Sequence, residues 1–265
     1  MEILLIFLFA LLGLAVGSFL NVCIDRLPRN ESIVNPPSHC SVCQHKLAVK
    51  DLIPLFSYLR LRGRCRYCQA SIPRKLFWVE LATGLIFAFL YWWCVVFNPE
   101  LGIVTFGVMA FYACLFTIIF IIDLEHGLIL NKVLYPAMVV ALLIAIFLPQ
   151  PAWIPQLWVH GLLNFALGAA IGFVIFLLLA LVSRGGMGFG DVKLAAFIGL
   201  ATGFPLALLA VIMAAVLGGL TAIILLATRK RGRKEAIPFG PFLAVAAMVT
   251  LLWGNNIVNW YLGLM

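Results

Sequence analysis

Apolar residues in this chain form long unbroken runs, with neither the alternation of a half-buried strand nor the single stripe of a soluble amphipathic helix. Runs at or near the length that crosses a bilayer, about 17–25 residues, can be drawn at 3–22, 76–97, 103–122, 133–148, 161–182, 206–228 and 239–262. An eighth run, 192–203, is shorter. In lipid a spanning segment must satisfy its own backbone hydrogen bonds, so runs of this length predict helices. The pattern therefore predicts an all-α polytopic membrane protein with about eight transmembrane helices. One sizeable polar region, residues 23–75, interrupts it.

Composition agrees: 65% of residues are hydrophobic and only 11% are charged, where a soluble domain carries about 25% charged residues. The few bases then fix an orientation. Of eighteen, ten lie between residues 26 and 75, one is Lys132, two are Arg184 and Lys193, and five lie at 229–234. With eight crossings all eighteen fall on one face, and the opposite connections, 98–102 and 149–160, contain no Lys or Arg. Without 192–203 the last cluster would change sides. The positive-inside rule thus makes the basic face cytoplasmic and puts both termini outside. The net charge of +8 marks those loops rather than a nucleic-acid partner. Glu2 stands where a cleaved signal would carry bases, so the first helix is expected to be retained. No internal repeat stands out.

The polar region holds Cys40-Ser41-Val42-Cys43 and Cys65-Arg66-Tyr67-Cys68, with 21 residues between the pairs. Two such pairs are the usual way to set four thiolates around zinc, and the gap is one residue beyond the common 15–20. Four Cys ligands leave no open position, so Cys40, Cys43, Cys65 and Cys68 predict a structural zinc that helps a short loop to fold. A redox pair or four plain thiols are the alternatives; a disulfide is disfavoured on the cytoplasmic side. His39 and His45 are expected at the surface, and Cys23, Cys94 and Cys114 in the core. Arg60, Arg62, Arg64 and Arg66 read either as a solvated patch or as a surface for an anionic ligand. Glu80, near the start of the second run, is expected to face the bundle interior.

Two carboxylates stand out. Asp123 closes the third run, and Asp191 follows Gly185-Gly186-Met187-Gly188-Phe189-Gly190 and opens the short run 192–203, the sixth in chain order. Ionisable residues at a membrane boundary are functional candidates. In the eight-crossing topology both lie on the cytoplasmic boundary, where they could form a dyad. Two carboxylates sharing a site cannot easily both ionise, so the pair would hold one proton and could activate water while protonating a leaving group. The glycines are expected to let backbone approach the carboxylate and to take dihedrals closed to other residues. The structural alternative has Asp191 as a helix N-cap; Asp123, at a helix C-terminus, is opposed by the helix dipole. Glu125 and His126 could orient Asp123 or be plain loop residues.

Taken together, Gly-Ser-Phe-Leu-Asn (17–21), Arg26-Leu27-Pro28, Pro-Pro-Ser-His-Cys (36–40), Leu61-Arg62-Gly63-Arg64-Cys65, Val79-Glu80-Leu81, Ile122-Asp123 and Gly-Met-Gly-Phe-Gly-Asp (186–191) resemble bacterial type IV prepilin peptidases over nearly the whole chain. The resemblance implies an aspartyl protease of the bacterial inner membrane, with its termini periplasmic. It would remove the basic leader of prepilins and pseudopilins at the cytoplasmic face, after a Gly and before a residue that is usually Phe. It implies Asp123 and Asp191 as the catalytic pair and the four cysteines as zinc ligands. It also implies that S-adenosylmethionine is used to methylate the new N-terminal amine, with Gly63, Arg64 and Glu80 as the candidates for holding the donor. The chain would divide into a first helix (1–22), a zinc loop domain (23–75) and a membrane protease domain (76–265). Relatives often carry Ile-Pro after the first Asp, where this chain has Ile129-Leu130-Asn131. The rival readings are a peptidase without methylation, a non-enzymatic assembly factor and an ion-coupled transporter, the last of which would place its acids nearer the midplane.

Overall fold

The structure, a computed structural model, describes residues 1–148, 161–182, 187–228 and 238–263. It is helical: α1 (Glu2–Arg26), a 3-10 turn (Val49–Asp51), α2 (Phe56–Arg60), α3 (Arg74–Tyr91) running into a π-helical turn (Trp92–Phe97), α4 (Gly102–His126), α5 (Asn131–Phe147), α6 (Leu162–Val182), α7 (Phe189–Thr202), α8 (Leu206–Ala227) and α9 (Gly240–Gly263). Each of the eight apolar runs is a helix. Six are long and apolar enough to cross a membrane, whereas α5 has 17 residues and α7 only 14. The connection 149–160, Arg184, Gly185, Gly186 and the base cluster at 229–234 lie outside the described residues. The chain divides into two units, Met1–Cys114 and Leu115–Met265.

In the first unit α1 lies along α3 because both are narrowed by glycine. A Cβ on Gly13 would fall 2.6 Å from Phe87 Cβ, and one on Gly17 would fall 2.9 Å from the Glu80 Cα. Farther along, Phe9 stacks on Tyr91 with centroids 4.2 Å apart. The outer face of α1 stays apolar and exposed, as at Leu4, Phe7 and Leu11, which suits contact with lipid.

In the second unit α7 is the inner helix. Val192, Leu194 and Phe197 are fully buried, and α5, α6, α8 and α9 pack against it. At 1.5 Å per residue it is about 21 Å long, short of a hydrocarbon core of roughly 30 Å. Surrounded by protein, it can carry the chain across without itself matching the full thickness of the hydrocarbon core, which suits the short run at 192–203. Gly168 and Gly172 on α6 meet Gly199 and Ala195 on α7 backbone to backbone. At its end Gly203 (φ +71°) turns the chain, and the Phe204 N–H donates to Asn164 Oδ1 at 2.6 Å. A Cβ on Gly199 would overlap the Gly168 carbonyl. Gly199→Ala is therefore expected to destabilise the protein by roughly 1–3 kcal/mol, read as a lowered thermal midpoint in detergent.

Candidate active site and metal centre

Asp123 sits four residues before Gly127 (φ +64°), whose N–H donates to the Asp123 carbonyl at 2.8 Å and stops α4. The side chain is 4% exposed. Its Oδ2 accepts the Gly240 N–H at 2.9 Å, from the first residue of α9. Gly240 is placed there by Phe239, whose ring meets Phe176 of α6 at 5.9 Å and Phe242 at 6.1 Å and lies against Gly218 of α8. A Cβ on Gly240 would stand 2.6 Å from Asp123 Oδ2, so only glycine fits.

Asp191 belongs to the same unit. Its helix is capped by Gly188, and Asp191 lies within the first turn, so the N-cap alternative does not hold. A carboxylate in that turn is favoured by the helix dipole. The two carboxylates interact electrostatically, which brings together the two aspartates singled out from the sequence. Gly188 is extended (φ −74°, ψ 144°) and neither it nor Gly190 has a positive φ, so neither needs glycine for its dihedrals, and a Cβ on Gly188 would meet the Asp191 carboxylate only at 3.6 Å. A Cβ on Gly190 would lie 3.0 Å from Ile129 Cβ, in the turn between α4 and α5. Lys193 donates to Asn131 Oδ1 at 3.0 Å and lies over the rings of Tyr135 and Phe189, tying α7 to α5. Glu125 and His126 sit at the exposed end of α4.

In the first unit the thiols of Cys40, Cys43, Cys65 and Cys68 all lie within 4.8 Å of one another. Cys40 Sγ and Cys68 Sγ are 3.8 Å apart, close to the edge of about 3.8 Å that Zn–S bonds of 2.3 Å give a tetrahedron. The cluster can hold a metal ion. The two histidines stay out of it: His39 Nδ1 is 3.0 Å from the Pro37 carbonyl, and His45 stacks on Tyr67 at 3.7 Å. The amides of Cys43 and Val42 hold the Cys40 thiol down, to about 6. The two knuckles repeat one design that sequence reading missed. Cys40 N bonds to His45 O, Gln44 N to Cys40 O and Leu47 N to Ser38 O; Cys65 N bonds to Ala70 O, Gln69 N to Cys65 O and Ile72 N to Gly63 O. Gln44 and Gln69 take φ values of 57° and 58°. The shared Cys-x-x-Cys-Gln was the available signal.

Asp51 joins the knuckles and was also missed. It accepts from Arg66 Nε at 2.6 Å, from the Tyr67 hydroxyl at 3.3 Å and from the Ala48 N–H at 3.2 Å. Burial works against its ionisation, but the hydrogen bonds from Arg66 and Ala48 outweigh it and hold the carboxyl below the usual carboxylate range. Its signal was being the only acid between the two Cys pairs.

Residues 11–94 match the model of the bacterial peptidase A24 N-terminal domain, and residues 109–223 match that of the type IV leader peptidase family. The chain is 32% identical to a protein named prepilin leader peptidase/N-methyltransferase from Stutzerimonas stutzeri, over 95% of this chain and 91% of that one. It is likewise 32% identical to the protein of that name from Pseudomonas aeruginosa, with the same coverage. The chain belongs to the type IV leader peptidase family. A third relative of the same name, from Bacillus subtilis, is 29% identical over 94% of this chain and 95% of its own length. No solved structure matches the chain.

Of the three residues considered for a methyl donor, Glu80 lines a cavity in the first unit, and Gly63 (φ +68°) packs under the hydroxyl of Tyr58, another lining residue. Arg64 is exposed, and its backbone bridges to Ser71. The four-thiol cluster gives a direct check. Cys43→Ser and Cys68→Ser are each expected to lose most of the bound metal, measured by elemental analysis of the purified protein against the wild type.

Proposed function

We propose that this protein is a prepilin leader peptidase in which Asp123 and Asp191 form the catalytic pair, and that it then N-methylates the product with S-adenosylmethionine. The observation that carries the proteolytic reading is that carboxylates from α4 and α7 lie near enough to interact electrostatically, one of them buried and held by a backbone amide. A pair that shares one proton can draw a proton from water with one carboxylate and give one to the departing amine with the other. The pair titrates as a unit, so acid and base are roles of the dyad rather than fixed residues. The Gly240 N–H fixes one Asp123 oxygen, which leaves the other to face water. A glycine before the cleaved bond suits a dyad that backbone must approach closely.

The substrates on this reading are prepilins and pseudopilins, whose apolar helix lies in the bilayer while the basic leader reaches the cytoplasm. The distribution of bases supports a cytoplasmic site and periplasmic termini in a bacterial inner membrane. The chain is read as a first helix (1–22), a loop domain (23–75) and a membrane protease domain (76–265). Zinc is the metal that four thiolates at this spacing suit best, and its role is to fold the loop. The names of the relatives support methylation. S-adenosylmethionine, when bound, supplies a methyl group on a sulfonium sulfur; the free amine's lone pair forms the N–C bond as the S–C pair returns to sulfur, and the amine sheds a proton.

Mass spectrometry of a prepilin's new N-terminus, after incubation with purified protein in lipid and S-adenosylmethionine, tests both steps. The wild type is expected to remove the leader and add one methyl group. Asp123→Asn and Asp191→Asn are each expected to slow cleavage by roughly 10³–10⁴-fold; cleavage at the wild-type rate by either would remove the dyad assignment. Leader loss without methylation would reduce the protein to a peptidase. Gly240→Ala, which presses a methyl group against Asp123, is expected to slow cleavage by about 10²-fold while metal content stays at the wild-type level.

A further inference from the structure

Between its two Cys pairs the first unit presents an apolar face that stays exposed. Val49, Ile53, Phe56 and Leu59 are 84%, 44%, 56% and 62% exposed. Their spacing of four, three and three residues is that of one helical face. The opposite side of the same segment is occupied: Ser57, Tyr58 and Leu61 line the cavity that Glu80 also lines. Around the apolar face the charge is of one sign. Lys50, Arg60 and Arg62 are exposed, and none of them forms an ion pair among the described residues. Asp51, the only acid between Lys46 and Glu80, is committed to Arg66, Tyr67 and Ala48. An apolar face edged by bases is the pattern of a segment that lies on a membrane, with its apolar side chains toward the acyl chains and its bases on anionic headgroups.

Two contacts fix how deep the segment lies. The Tyr58 ring is 5.3 Å from that of Phe77, and the Leu55 N–H donates to Glu80 at 2.8 Å. Phe77 and Glu80 follow closely on Arg74, where the spanning stretch Arg74–Phe97 begins. At 1.5 Å per residue they stand about 4–9 Å along the helix from its first base. Amphipathic segments rest at such a depth, about 5–10 Å into the boundary between headgroups and acyl chains. Trp78, 61% exposed, marks the same level on α3, and tryptophan is enriched in that layer.

We propose that residues 49–62 lie in the interface of the leaflet that holds the start of α3, with Val49, Ile53, Phe56 and Leu59 among the acyl chains and Lys50, Arg60 and Arg62 on anionic headgroups. The segment is then a wall with lipid on one side and the cavity on the other, and it holds the two knuckles at the membrane surface. Other occupants suit the face less well. A second copy of the chain, meeting it across a twofold axis, would set the same bases against themselves. A basic prepilin leader would be repelled in the same way.

Photocrosslinking of the full chain in vesicles of phosphatidylethanolamine with a minor share of phosphatidylglycerol tests this. Phe56→p-benzoylphenylalanine and Leu59→p-benzoylphenylalanine are compared with Leu11→p-benzoylphenylalanine, whose position on the exposed face of α1 reports contact with lipid. Each variant is first checked for wild-type metal content and thermal midpoint, and Ile53→p-benzoylphenylalanine replaces either loop variant that fails. Mass spectrometry then identifies what the label has captured. Both loop positions are expected to carry phospholipid, with phosphatidylglycerol enriched about twofold or more over the adducts at position 11. Combining Lys50→Gln, Arg60→Gln and Arg62→Gln is expected to abolish that enrichment. Lipid captured at position 11 but at neither loop position would overturn the proposal, as would capture of a second copy of the chain there. Lipid adducts without the enrichment, or an enrichment that survives the three substitutions, would overturn the role of the bases.

Discussion

A carboxylate inside an apolar helical unit must be answered by a donor, and at Asp123 the donor is main chain. The Gly240 N–H approaches to 2.9 Å, and any Cβ there would press on the carboxylate. Much of the second unit follows from that contact. Helix α9 must begin at Gly240, Phe239 must wedge between α6 and α8 to hold it there, and α4 must end a turn past Asp123. A backbone amide has no rotamers to lose, so the oxygen it binds is fixed without the entropy that a long side chain would sacrifice.

The glycines of this chain act mainly through what they lack. The sequence suggests both close approach and special dihedrals for the glycines before Asp191, yet neither Gly188 nor Gly190 has a positive φ. The value of Gly190 is steric, against Ile129, as is that of Gly168 and Gly199, where two helices touch along their backbones. Without water to drive association between helices in lipid, close van der Waals contact of this kind is the main source of packing energy. It also lets a helix as short as α7 be enclosed by its neighbours, with Asp191 in its first turn.

The loop of the first unit depends on a different economy. It has too little apolar surface for a core, and its two knuckles are organised by hydrogen bonds repeated turn for turn and by Asp51, which ties Arg66, Tyr67 and Ala48 together. Four thiols crowded to within 4.8 Å are a poor arrangement unless a cation joins them. Glu80, a short way into α3, is a buried carboxyl group held by the Leu55 amide.

The sequence by itself determined the helices, because continuous apolar runs in lipid have no other way to satisfy their backbones. It marked Asp123 and Asp191 because charge is scarce here and its position is therefore informative, and it marked the four cysteines by spacing. It did not reveal Gly240, which lies 117 residues from Asp123, nor Asp51 as the joint of the knuckles, nor the Leu55 amide that donates to Glu80. Nor did it show that the shortest run would be the innermost helix of its unit. Periodicity and composition report each residue's preference for water or lipid. Which amide meets which carboxylate depends on how closely helices far apart in the chain approach, and only the tertiary packing decides that.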